Sequence, residues 1–229
     1  KSRSSIQIAQ ELQSLGASLG GGAGQEGTTV AASGLSANAG KILQLLADVA
    51  RNPTFPDAEV NLAKMNALQS LKAAKAQPGY QAGVAFDSAV FGTHPYGTGE
   101  LTEASIMAVT PQALRELHAK RFRPDRALLV ATGRVNAAEV LRLANEYFGD
   151  WKAEGVVEGE IAPAPTTAAA ARVFVPRDNS VQSAIRIGRP AIASTDPALY
   201  KADVAEAILG GGFGSRLFTN LREEKGYTY

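Results

Sequence analysis

The stretch that most constrains the fold is 152–170, "KAEGVVEGEIAPAPTTAAA". It is rich in Ala, Pro, Gly and Thr and follows neither the helical nor the strand period, so it presents no continuous apolar face to a core. It reads as a linker, drawn at 156–170, between a first domain over 1–155 and a second unit over 171–229. Beyond it the sequence predicts two strands, "ARVFVPR" and "SAIRIGRP", about an Asp178-Asn179 turn. A helix ending at Gly210 follows, then a second helix, "SRLFTNLREEKG", and the start of a strand, "YTY". Two strands and two helices are too little to close a core alone, so this unit reads as cut at its C-terminal end. The chain starts at Lys1 rather than Met and reads as the inside of a longer protein.

Upstream of the linker, helical spacing recurs. Ile6, Ala9 and Leu12, with Ile8 and Leu15, predict a helix that Gly16 stops. "TTVAASGL" reads as a short strand. "NAGKILQLLADVARNP" places Ile42, Leu45, Leu46 and Val49 on one helical face and closes at Pro53. "FPDAEVNLAKMNALQSLKAAKAQP" predicts a third helix, capped by Asp57, with Leu62, Met65, Leu68 and Leu71 as its stripe. "GYQAGVAFDSAVFGTHPYGTG" predicts a short helix running into a loop about His94-Pro95-Tyr96-Gly97. Thr110 and Pro111 open the helix of "TPQALRELHAKRF", where the missing proline N–H costs nothing. "RALLVATGRV" reads as a buried strand. Asn136, with Glu139 three residues on, has capping-box spacing at the start of "NAAEVLRLANEYFGDW". The mixed order, without βαβα alternation, points to α+β layers. A helix running into glycines occurs twice, at "IAQELQSLGASLGGG" and "VAEAILGGGFG", an echo too short to establish a duplication.

With 23 basic and 22 acidic residues the formal net charge is +1, which gives no broad electrostatic reason to expect nucleic acid or an anionic membrane as a partner. No apolar run nears the ~18 residues that span a bilayer, and no apolar core follows the basic start as in a signal peptide. The absence of cysteine excludes disulfides, thiolate metal ligands and a cysteine nucleophile.

Three groups are candidates for chemistry. Gly210, Gly211, Gly212 and Gly214 have the composition of a phosphate loop, but they follow a predicted helix and lack the Lys of a Walker motif. A helix end and turn, with Ser215 as the next N-cap, is the plainer reading. His94 and His118 stand twenty-four residues apart, outside any His-Glu-x-x-His or inverse spacing. His118 fits an ordinary amphipathic helix, and His94 fits a turn. Arg222 and Tyr229 lie seven residues apart across a helix-to-strand turn at Gly226. Guanidinium and phenol together can donate to a carbonyl oxygen that becomes negative during attack. Spacing alone favours the plainer alternative, in which Arg222 pairs with Glu223 or Glu224 and the tyrosine packs in the core.

Several of these stretches, in this order, resemble the pitrilysin/insulinase family of zinc peptidases, on its mitochondrial-processing-peptidase-like branch. "LGGGFGSRLFTNLREEKGYTY" is similar to the family's Arg/Tyr segment, and "SSIQIAQELQSLGASLGG" to the helix after its zinc-binding helix. "LLADVARNPTFPDAEV", "FGTHPYGTG", "LRELHAKRFRPDRALLVATGRV" and "YFGDW" resemble later parts of its first domain. "VQSAIRIGRPAIASTDPALYKADVAEAILGGGFGSRL" resembles the opening of the second. The resemblance implies two homologous α+β metallopeptidase-type domains, each a sheet covered by helices, the first lacking its zinc-helix region and the second truncated. It implies zinc held by His-x-x-Glu-His, which would precede Lys1, and by a distal Glu. Ungapped comparison puts Ser70 in that distal position, with Gln69 beside it, and no acidic residue follows Glu59 in that helix. A hydroxyl is a poor substitute for a carboxylate on zinc. The resemblance therefore implies a non-catalytic subunit of a heterodimeric zinc metallopeptidase, with no metal in this chain and zinc in a homologous catalytic partner. Arg222 and Tyr229 would then bind peptide substrate. It leaves open a full-length chain that is itself an active zinc peptidase, and a non-enzymatic peptide-binding or structural relative. It favours the bacterial periplasm or export over the cytoplasm.

Overall fold

Ser4 begins the first element. Its side chain accepts from the Gln7 N–H while the Gln7 side chain accepts from the Ser4 N–H, a reciprocal cap that opens helix α1, Ser5–Ser14. The structure is a computed structural model that describes residues 3–155, 159 and 161–228. The fold is α+β and helix-rich, with one small sheet among the described residues. The chain separates into two compact units, Lys1–Gln81 with Thr98–Ala162, and Ala82–Gly97 with Pro163–Tyr229.

The first unit is built on a hairpin. Gly16, at φ +59°, turns the chain out of α1 in the left-handed conformation that glycine adopts without strain. Strand β1, Ser18–Ala23, then pairs antiparallel with β2, Thr28–Ser33, in register Leu19↔Ala32 and Gly21↔Val30. Helix α2, Ala39–Arg51, follows. Leu15, Ile42 and fully buried Leu45 form the core, flanked by Leu12, Ala17, Leu19 and Ala32. The Asn38 side-chain amide donates to the Leu15 carbonyl at 3.0 Å, tying the start of α2 to the end of α1.

Helix α3, Asp57–Lys75, buries Val60 and Leu71 but leaves Leu62 and Met65 exposed. The predicted stripe is therefore half right, for a geometric reason. Steps of three residues fall short of a full turn, so by Leu71 the stripe has rotated to the side opposite Leu62. The observed inward face follows Val60, Lys64, Ala67 and Leu71. Helix α4, Pro78–Phe91, begins in the first unit and continues in the second, and a single turn, α5, covers Pro95–Thr98. Helix α6, Glu103–Ala108, packs beside α3, where the Lys64 ammonium donates to the carbonyls of Met107 and Val109 at 2.8 and 2.9 Å. Helix α7, Pro111–Arg121, starts as expected, with the Thr110 hydroxyl accepting from the Ala113 N–H and Pro111 at its first position. Helix α8, Ala137–Phe148, is capped by Asn136, which accepts from the N–H groups of Ala138 and Glu139. The expected return bond from Glu139 does not form, because its carboxylate pairs with Arg142 at 2.8 Å.

The stretches predicted as strands over 126–135, 171–177 and 183–190 are corrected. Pro124–Arg126 is a short 3-10 turn, and none of the three stretches joins a ladder among the described residues. A strand needs a neighbour's N–H and C=O groups, and among the described residues none pairs there. Leu128 and Phe174 are accordingly exposed at 87% and 86%. The Asp178-Asn179 turn does form, with Asn179 at φ +57°.

In the second unit, a Cβ at Gly188 would stand 2.7 Å from the Phe86 ring, so backbone and aromatic face meet closely there. Helix α9, Leu199–Leu209, ends at Gly210 as expected. Helix α10, Arg216–Phe218, continues directly into a π-helical turn, Thr219–Glu224. Thr228 is not in a strand, and the remainder of the predicted final strand, at Tyr229, lies outside the described residues.

Candidate functional site

The glycine cluster is a turn between helices. Gly214 takes φ +85°, and buried Ser215 caps α10 by accepting from the Phe218 N–H at 3.4 Å. A helix precedes the cluster where a phosphate loop needs a strand. The chain then enters the π-helical turn, in which the Lys225 N–H reaches back five residues to the Asn220 carbonyl at 3.1 Å. The Tyr227 N–H donates to the Leu221 carbonyl at 2.8 Å, and Gly226, at φ +64°, lets the chain leave.

Arg222 sits on this turn, exposed, with its guanidinium carbon 5.1 Å from the centroid of the Phe218 ring. The Phe213 ring meets Phe218 edge-on at 4.9 Å. Glu224 accepts from the Asn220 side-chain amide at 3.0 Å. Among the described residues no carboxylate lies within ion-pair distance of Arg222. The surface pair with Glu223 or Glu224 is thus not formed. Tyr229, the other member of the expected pair, lies outside the described residues.

Ser70 and Gln69 are exposed on α3. Among the described residues, no three His, Asp or Glu side chains gather as a zinc site requires. The described residues by themselves do not fit a zinc ion. Both histidines have other work. The His118 ring stacks on Phe122 at 4.5 Å, and its Nε2 lies 2.7 Å from the Ala50 carbonyl. The His94 Nδ1 accepts from the Tyr96 N–H at 3.1 Å, and its ring meets Tyr96 at 4.6 Å, ordering the turn.

Sequence reasoning missed two arginine clamps. Buried Arg123 grips Asp125 through two bonds, 3.0 and 2.9 Å, and donates to the carbonyls of Glu154 and Gly155. Hydrogen bonding to the Arg123 guanidinium holds the Asp125 carboxyl below the usual carboxylate range. Arg51 donates to the Tyr147 carbonyl and pairs with Asp150 at 2.8 Å, lowering that carboxyl in the same way. Arg-x-Asp was visible, but its carbonyl partners thirty residues away were not. An apolar cleft of about 950 Å³ also opens in the first unit between α1, α3 and α6. Its charged lining is already engaged, Arg3 with Glu11 at 2.6 Å and Asp48 at 3.1 Å, and Lys64 with the two carbonyls above.

Among the described residues no helix is long and apolar enough to cross a membrane. Comparison with known proteins adds the lineage. Residues 1–98 match the family model described as insulinase (peptidase family M16), and residues 108–229 match the one described as peptidase M16 inactive domain. An uncharacterized zinc protease of Mycobacterium leprae is 26% identical over 234 residues, covering 99% of this chain and 52% of its own length. The chain spans about half the length of the curated relatives it matches. The crystal structure of a peptidase M16 inactive domain from Pseudomonas fluorescens superposes with a TM-score of 0.80 at 25% identity, covering 100% of this chain and 56% of that one. A protease from Helicobacter pylori shares the fold, with a TM-score of 0.84 at 18% identity, covering 99% and 56%.

Proposed function

The chain belongs to the peptidase M16 (insulinase) family, and from that premise we propose that it serves as the non-catalytic subunit of a heterodimeric zinc metallopeptidase. In this reading 1–155 is the first peptidase-like domain, 156–170 the linker, and 171–229 the opening of a second homologous domain. The homologous partner holds the zinc. This chain contributes Arg222 and Tyr229 to the peptide substrate. Guanidinium and phenol donate to the scissile carbonyl oxygen as it gains negative charge, and a sheet edge accepts the peptide as an added strand.

The observation that carries the reading is the state of Arg222, an exposed guanidinium that no described carboxylate neutralises. It lies in the part of the chain that matches an inactive-domain model. Ser70, where the family resemblance expects the distal carboxylate, supports the division of labour. The test is peptide hydrolysis by the co-purified complex. Arg222→Ala is expected to lower kcat about 100-fold, the usual cost of losing one donor to the developing oxyanion, with Tyr229→Phe acting in the same direction. Unchanged hydrolysis in both variants would sink the role.

A second reading draws on the zinc-protease name of the relatives, in which the full-length protein is itself an active zinc peptidase. Metal analysis of the full-length protein separates the two. Near-stoichiometric zinc supports this reading, and its absence supports the non-catalytic one.

A further inference from the structure

The ring beneath Arg222 has no part in the function proposed above. We infer that Phe218 is a positioning residue, holding the Arg222 guanidinium by cation–π contact in the orientation that meets the substrate carbonyl. The inference rests on the reading of Arg222 as a substrate donor and adds a residue to that site.

Three observations converge on it. First, the π-helical turn over Thr219–Glu224 widens the helix by one residue. Residues four apart then come closer to alignment along the axis than they do in an α-helix, which sets Arg222 over Phe218, with the guanidinium carbon 5.1 Å from the ring centroid. Second, the ring is itself braced. Phe218 is half-buried, Phe213 meets it edge-on at 4.9 Å, and its backbone N–H is fixed by the cap at Ser215. Third, the nearby acid is diverted, because Glu224 is held at 3.0 Å by the Asn220 side chain. An arginine in a carboxylate's grip has its donors occupied. An arginine held through a ring's face carries no carboxylate on its N–H donors, since the attraction is to the ring's quadrupole. The arrangement orders a long side chain without using the hydrogen bonds it needs for substrate, which lowers the entropy lost on binding.

The test is a double-mutant cycle on the co-purified complex, read as kcat/KM for peptide hydrolysis. Phe218→Leu keeps an apolar side chain and removes the face. It is expected to lower kcat/KM about two- to five-fold, the range of an exposed cation–π contact. Phe218→Tyr restores a ring and is expected to return the rate to within two-fold of the parent. In the Arg222→Ala background, Phe218→Leu is expected to change nothing further, because a positioning residue acts only through what it positions. Additive losses, or failure of the tyrosine to rescue, overturn the inference and leave Phe218 as packing. Loss with Arg222→Ala but none with Phe218→Leu overturns the inference alone. Parent rates in Arg222→Ala overturn the functional reading and the inference with it. The ring-current shift of the Arg222 side-chain protons in labelled protein reports the contact itself. An upfield shift abolished in Phe218→Leu supports it, and no shift in the parent overturns it.

Discussion

Two glycine runs, each following a helix, end in different structures. Gly20–Gly22 become the middle of β1, paired across to Ala31, Val30 and Thr29. Gly210–Gly214 become a turn that delivers the chain to Ser215 and α10. Composition does not separate them. What separates them is the next segment, a strand-forming "TTVAAS" in one case and a capping serine in the other. Glycine permits many backbone conformations at similar cost, so the neighbour that offers hydrogen bonds decides.

The largest test of this contrast lies just past the hairpin. A Cβ at Gly34 would meet Ile42 Cδ1 at 2.7 Å and Ala17 Cβ at 3.0 Å. Gly34→Ala is expected to cost about 2 kcal/mol by overpacking, read in denaturant unfolding, with amide exchange accelerated in β1, β2 and α2. A loss confined to the tail would break the comparison. In the second run, Gly214→Ala is expected to cost about 1 kcal/mol, because φ +85° strains any L side chain. Its neighbour Gly212, with open space around it, should tolerate alanine. Equal costs at the two positions would mean that the turn is not set by Gly214. In the strand, Gly20→Thr and Gly22→Thr also enter open space and are expected to stabilise by about 0.5 kcal/mol each, since glycine weakens a strand interior. Destabilisation would show that the hairpin needs its glycines.

The smallest effect is conditional on pH. Asp125 and Asp150 have carboxyls held low by hydrogen bonds to Arg123 and Arg51. A depressed carboxyl contributes stability above its unfolded value, near pH 4, and the contribution fades as pH falls through the folded value. No ion pair lies among the described residues of 163–228. As pH falls, amide protection relative to the intrinsic exchange rate is therefore expected to drop around α2 and the end of α8 before the glycine turn of the tail, and Asp150→Asn should flatten that difference.

Much of the local structure was legible. Thr110 and Asn136 cap where their spacing placed them, and Gly16 and Gly210 end their helices. Legibility failed where partners are remote. β1 went unread because three glycines carry no strand signal until β2 faces them. The stretch 126–135 carried a strand signal with no ladder among the described residues to receive it. At the candidate site, the residue types and the family resemblance singled out Arg222. The ring under it was legible in principle, since Phe218 and Arg222 stand four apart in the predicted helix, the spacing at which helix side chains meet, but only carboxylates were weighed as partners for Arg222.

What the sequence by itself determined is the lineage, the α+β class and most helix ends, since each depends on residue identity and short spacing. Only the tertiary structure decided which glycine run pairs and which face of α3 is buried. Those outcomes are free-energy differences between competing partners, and a partner exists only once the chain has brought it near.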